Sequence, residues 1–183
     1  MYRELPRVPP CHNELGGKSL IMSTHAVVGA AIATLMPDHP GLAFLSGMAS
    51  HFLIDAIPHW DYPLRSISVA RGPSPGLTVN RPLFRDLGLI GLDAIVGLTV
   101  ALWLYATPTA AAAVLLGALG AILPDPLQLA HKLWPREPLR TLQRFHVWIH
   151  SKRKLRWPIG VASQLSFVLL VISVSEALRA NLA

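Results

Sequence analysis

Cysteine occurs once in the 183 residues, at Cys11, so no disulfide can form within the chain and the fold has to be held by packing. Charge is also scarce. Asp, Glu, Lys and Arg make up 14% of the chain, against about 25% in an ordinary soluble domain. Acidic residues are the scarcest, with 10 Asp and Glu against 16 Lys and Arg, for a formal net charge of +6. The first 21 residues lack apolar periodicity and the apolar core of a signal peptide, and hold Pro6, Pro9, Pro10, Gly16 and Gly17. Residues 1–21 therefore read as a disordered leader or a mis-annotated start, and 22–183 as a single domain opening at Met22.

What the chain does have is apolar. Hydrophobic residues make up 52% and the mean hydropathy is +0.44. The basic residues are not spread as in a nucleic-acid binder. Arg65, Arg71, Arg81 and Arg85 form one group; Lys132, Arg136, Arg140, Arg144, Lys152, Arg153, Lys154 and Arg156 form a second. No Lys or Arg occurs from Ser19 to Leu64 or from Asp86 to His131. That is the spacing of charged loops between membrane spans, and it argues against a nucleic-acid partner.

Five apolar segments lie between these groups: Leu20 to Met36, Gly41 to Ile57, Leu87 to Ala106, Thr109 to about Leu129, and Pro158 to Leu178. Each approaches the roughly 20 residues that cross the hydrocarbon core as a helix. Pro37, Pro58 and Pro108 end the first three, and Pro124 and Pro126 disturb the last turns of the fourth. The pattern predicts an all-α protein, an integral membrane bundle of about five transmembrane helices. The positive-inside rule places the amino end and the basic loops 62–85 and 131–157 in the cytoplasm. Stretch 139–150 pairs apolar Leu142, Phe145 and Trp148 with Arg140 and Arg144, which suits either an interfacial helix on anionic lipid or an ordinary basic anchor.

Ionisable groups inside apolar segments are costly and usually functional. His51 and Asp55 stand four apart and share one helix face; His59 and Asp61 follow the break at Pro58, in the run HFLIDAIPHWD. His25 opens the first segment, Asp93 lies about two turns into the third, and Asp125 ends the fourth in Leu-Pro-Asp-Pro. His146 and His150 are again four apart. On the topology fixed by charge alone, all nine fall at the inner face. Imidazole with carboxylate suits zinc, and also iron or manganese. The expectation is one or two divalent ions, most simply zinc, held by His25, His51, Asp55, His59, Asp93 and Asp125. Asp61, His146 and His150 are the candidates for catalytic base, acid or completion of a ligand shell.

Three motifs carry a family resemblance: Thr24-His25 with Gly29, the His51 to Asp61 run, and Gly120 with Pro124-Asp125. Together they resemble the bacterial inner-membrane proteins called predicted membrane-bound metal-dependent hydrolases. The His51-x-x-x-Asp55 element is also similar to that of the zinc-dependent phospholipase C and single-strand nuclease superfamily. The resemblance implies a multi-pass metal-dependent hydrolase of the inner membrane; the basic loops, which would gather anionic heads beside the site, make a phosphoester or lipid-linked substrate at the cytoplasmic face the expectation. Membrane lipids, including anionic headgroups, are the expected partners. The rival expectation is a non-enzymatic metal or proton carrier, or a structural subunit, using the same His/Asp site.

Overall fold

The computed structural model describes residues 17–19, 21–60, 62–64 and 79–182. Seven helices carry the architecture of these residues: α1 (Met22–Ala33), α2 (Pro40–Asp55), α3 (Arg81–Tyr105), α4 (Ala111–Ile122), α5 (Pro124–Leu133), α6 (Leu139–Ile149) and α7 (Trp157–Leu182). The strand content is one antiparallel pair of three-residue strands, β1 (Gly17–Ser19) with β2 (Tyr62–Leu64). The all-α expectation holds at this level. Of the proposed leader only residues 17–19 and 21 are described, and most of the 62–85 loop, with Asp61, lies outside the described residues.

Local sequence explains the helix limits. Asn80 caps α3 by accepting from Leu83 N–H at 3.0 Å, with Pro82 in the first turn where its missing donor is not needed. Pro40 starts α2 in the same way. The fourth apolar segment divides at Leu123 into α4 and α5, bent by 46°. Pro124, which has no N–H to give to the preceding turn, stands at that bend.

Helix lengths differ from the sequence expectation. Two helices, α3 and α7, are long and apolar enough to cross a membrane, and α4 with α5 makes a third if the bent pair is one span. At 1.5 Å per residue, 25 residues reach about 38 Å, more than the roughly 30 Å hydrocarbon core. The first two segments are shorter than the count of five spans assumed: α1 has 12 residues and α2 has 16. The turn at Thr34 before Pro37 and the break before Pro58 trim the carboxyl ends of both segments that hydropathy alone reads as continuous.

The twelve-residue α1 is the most enclosed. Ten of the twelve α1 residues are buried, beneath α2, α3, α4 and α7, as expected for a helix that is apolar all round. Its neighbours come close because their contact positions are small. A Cβ at Gly47 of α2 would lie 2.1 Å from Gly117 O of α4; one at Gly120 of α4 would lie 2.2 Å from Phe44 O of α2. Gly29 of α1 meets the same Gly117 carbonyl. Van der Waals packing of backbones across small residues is how helices associate where no hydrophobic drive separates them from their solvent.

The outside of the bundle is apolar. Trp103, Leu92 and Ile95 on α3, and Leu165, Leu169 and Leu170 on α7, are all exposed. The inside holds polar groups: His25, His51 and Asp55 are fully buried at 0% exposure, and His146 at 1%. Soluble domains place these classes the other way round.

Candidate metal centre

Four helices, α1, α2, α5 and α6, converge on Asp55. It is the last residue of α2, one turn below His51, so the two side chains share a face. His25 reaches them from the second turn of α1. Asp125 arrives from the first turn of α5, where a helix amino end favours a carboxylate. The bend between α4 and α5 is what turns that first turn toward α2. His146 comes from α6. The chain after α6 then runs beside the chain after α2: Ser151 N–H donates to Asp55 O at 2.7 Å, Leu155 N–H donates to His59 O at 3.1 Å, and His59 and Lys154 form a parallel bridge. This backbone pairing brings His150 against His59, with ring centroids 5.0 Å apart.

Distances within the cluster are short. His146 Nε2 is 2.7 Å from Asp55 Oδ2, His51 Nε2 is 3.3 Å from the same oxygen, and His25 Nε2 is 3.5 Å from Asp55 Oδ1. His51 Nε2 is also 3.8 Å from Asp125 Oδ1. The His25 and His51 rings stack at 4.2 Å.

The hydrogen bonds around the rim fix which nitrogens carry protons. His51 Nδ1 is 2.7 Å from Ala121 O, and His59 Nδ1 is 2.7 Å from Ile57 O. A carbonyl only accepts, so both Nδ1 atoms donate and, in the neutral rings, both Nε2 atoms carry lone pairs. His150 Nδ1 stands 3.2 Å from Ser151 O in the same arrangement. Burial pushes His150 down to about 4, so this ring is neutral at pH 7. In the neutral ring the His51 lone pair points at two carboxylates, which are acceptors too. Both ring nitrogens of His25, Nε2 of His51, Oδ1 of Asp55 and Oδ2 of Asp125 are buried without a hydrogen-bond partner. Buried acceptors facing one another without a donor are costly, and a cation between them removes the cost.

The spacing fits such a cation. Ligand atoms about 2.1 Å from a tetrahedral zinc lie roughly 3.4 Å from each other, and 3.3, 3.5 and 3.8 Å are found here. Three overlapping groups each offer three ligand atoms within 4.8 Å of one another: His25, His51 and Asp55; His51, Asp125 and His146; and Asp55, His59 and His150. Histidines that hold a metal through one nitrogen usually donate the other to a carbonyl or carboxylate, which is the pattern of His51, His59 and His150.

No family model, curated protein or solved structure matches the chain. The site therefore rests on its own geometry.

Of the nine residues singled out in the sequence, the structure brings seven together: His25, His51, Asp55, His59, Asp125, His146 and His150. His146 and His150, read beforehand as catalytic or shell-completing, sit within the potential ligand groups themselves. Asp93 is placed elsewhere. Its carboxylate accepts from Met22 N–H at the start of α1, away from the three ligand groups. Asp61 lies outside the described residues. Two neighbours were not singled out in the sequence. Gln128 donates to Asp125 Oδ1 at 3.0 Å and stands 3.3 Å from His146 Nε2. Lys154 Nζ lies 3.2 Å from His59 Nε2. Gln128 is one turn beyond Asp125 on the same helix, so i to i+3 spacing was the available clue.

Proposed function

We propose that this chain is a multi-pass membrane protein of the inner membrane and a metal-dependent hydrolase of phosphoester or lipid-linked substrates at the cytoplasmic face. The observation that carries the reading is the buried set of imidazole lone pairs and carboxylate oxygens around Asp55, spaced for a divalent ion. The family resemblance of the His51 to Asp61 run supports the same class. Apolar α3 and α7 support the membrane setting. In the five-crossing arrangement, α1 and α2 are short spans, α1 enclosed by its neighbours, and both basic loops face the cytoplasm.

Zinc is the ion the donor set suits best, and when bound it would polarise the phosphoryl oxygen and lower the pKa of a coordinated water. His25, His51, Asp55, Asp125 and His146 would hold one ion; His59 and His150, sharing Asp55, would hold a second. The protein residues do the rest. Backbone carbonyls of Ala121, Ile57 and Ser151 orient three rings. Gln128 steadies Asp125 and His146 together. His25, His51 and Asp55 close the inner side to water, leaving the half-buried edge at Asp125 and His150 for substrate. Asp61 is the proposed base or outer partner.

Polar groups along a path would favour a carrier. In the last turn of α1 and the first turn of α4 the buried residues are Ala30, Ala31, Ala33, Ala113 and Val114, which offer no relay. The test is a screen of phosphomonoesters, phosphodiesters and phospholipids with zinc-loaded protein in detergent, beside Asp55→Asn. Turnover in the wild type that Asp55→Asn abolishes supports the reading; equal turnover in both, or none in the wild type, contradicts it.

A further inference from the structure

Asp93 is half-buried on α3, apart from the three ligand groups. Its carboxylate serves a different helix. The first N–H groups of a helix lack partners within it, and the residue before α1, Ile21, has no side-chain oxygen to offer them. Met22 is 2% exposed, so water is scarce there. Asp93 accepts from Met22 N–H, and Ser23 faces the same carboxylate. A carboxylate also suits the positive end of the helix dipole. The cap of α1 is therefore supplied by α3.

Gly97 completes the contact. It stands four residues beyond Asp93, so both occupy one face of α3. A Cβ at Gly97 would lie 2.4 Å from Ser23 Cα and 3.1 Å from Ala26 Cβ, so only a bare backbone lets the first turn of α1 seat here. Asp93 fixes the height of α1 and Gly97 its rotation. His25 is two residues beyond Ser23, about 200° around the helix, so seating Ser23 on α3 aims His25 away from α3 and toward α2. There its ring stacks on His51 at 4.2 Å, and Nε2 stands 3.5 Å from Asp55 Oδ1. His51, His59 and His150 are each oriented by a carbonyl, and His146 by Asp55. Among the described residues, neither nitrogen of His25 has a hydrogen-bond partner. Its placement comes from the position of α1 and the contact with His51.

We propose that Asp93 is a positioning residue of the metal centre: through the amino end of α1 it holds His25 at the height where its ring meets His51 and Asp55. The link to metal affinity rests on the metal reading of the cluster, but the placement of the ring does not. His25 is the fourth residue of α1, within the turn that the cap secures. Without the carboxylate this turn frays, and the group formed by His25, His51 and Asp55 loses a member. Asn caps a helix about as well as Asp, so the acceptor oxygen rather than the charge is what the arrangement requires.

The test reads ring placement and zinc affinity separately on the full chain in detergent. Ring placement is read without metal, as the nuclear Overhauser contact between the His25 and His51 ring protons. Zinc affinity is read by competition with a chelator. Wild type, Asp93→Ala, Asp93→Asn, His25→Ala and the double variant of Asp93→Ala with His25→Ala are compared. Asp93→Ala should lose the ring contact and weaken zinc binding about tenfold or more, the scale on which loss of a ligand's support acts. Asp93→Asn should keep both. The double variant should bind zinc no more weakly than His25→Ala, because residues that act through one contact are not additive. Tyr105→Phe, at the far end of α3, is the control for lost stability and should keep both readouts. Gly97→Ala disturbs the same turn with the carboxylate in place; it should act like Asp93→Ala, and it decides the matter if Asp93→Ala does not fold. An intact ring contact in the deciding variant, zinc affinity equal to that of a zinc-binding wild type, or losses that add in the double variant overturn the proposal. A wild type that takes up no zinc, with a ring contact that Asp93→Ala still removes, sinks the metal reading and leaves the positioning role standing.

Discussion

Substituting Gly120 by Ala tests whether the α2–α4 contact holds the site together. In a helix, Gly to Ala alone should stabilise by about 1 kcal/mol through propensity. The structure says the opposite effect wins. The new Cβ would lie 2.2 Å from Phe44 O and 3.0 Å from Phe44 C, both backbone atoms that cannot rotate away. Ordinary contact begins at 3.4 Å, so the two helices must separate by about 1 Å, and overpacking of this kind costs about 1–3 kcal/mol. Because the yielding atoms are backbone, the upper part of that range applies, leaving a net loss of about 1–2 kcal/mol. For a chain of this size that lowers the melting temperature by about 2–8 °C. The shift also moves α2, which carries His51 and Asp55, away from Asp125 on α5, so metal affinity falls with stability. Thermal unfolding in detergent and zinc titration read the two effects. Gly88→Ala on α3 is the control, since a Cβ there meets nothing within 4 Å; it should be neutral or slightly stabilising. If Gly120→Ala is as stable as Gly88→Ala and binds zinc equally well, the close-contact argument is wrong.

Other outcomes follow from the same geometry. Gln128→Ala, which removes the donor to Asp125 and the neighbour of His146, should lower zinc affinity about 10- to 100-fold with little change in unfolding temperature, measured by competition with a coloured chelator. Tyr105→Phe removes the buried 2.8 Å bond to Ser175 and should cost about 1 kcal/mol of stability while leaving zinc binding unchanged; coupled loss of both would show that the two ends are not independent. Acid should strip the metal. His150, held neutral down to about 4, binds a proton later than a free imidazole, so its ligation persists as pH falls below 6.5 and is lost as pH passes through about 4. Zinc retention after dialysis across this range checks the sign, and complete release already near neutrality would contradict it. Trp148→Ser on the exposed face of α6 should weaken adhesion of that helix to nanodiscs rich in phosphatidylglycerol, read by fluorescence depth quenching, and leave zinc content intact.

The residues that showed themselves in the sequence did so because they are chemically out of place. His51 and Asp55 break an apolar run at helical spacing, and Asp125 sits between two prolines; each landed in the cluster. Prolines likewise marked most helix ends. Hydropathy could not measure helix length, because Thr34 to Met36 and Ala56 to Ile57 are as compatible with turns as with helix, so α1 and α2 emerged shorter than a full span. Asp93 looked like His25 or Asp125 by the same criterion. Only the packing of α3 on α1 reveals that it holds the first N–H groups of α1. Lys154 was hidden for the opposite reason: in a basic loop nothing about it is unusual until the backbone pairing of 151–155 with 55–59 turns it inward. Long-range pairings of this kind leave no local pattern, and the β1–β2 contact was invisible for the same cause.

The central claim is that the lone pairs around Asp55 are arranged for a divalent cation. The most direct test is plasma mass spectrometry of the protein purified in detergent without chelators or added metal, wild type beside Asp55→Asn. The account predicts one to two equivalents of a divalent metal, most of it zinc, in the wild type and less than half of that in Asp55→Asn. A wild type free of metal that also fails to take up zinc on titration would contradict it.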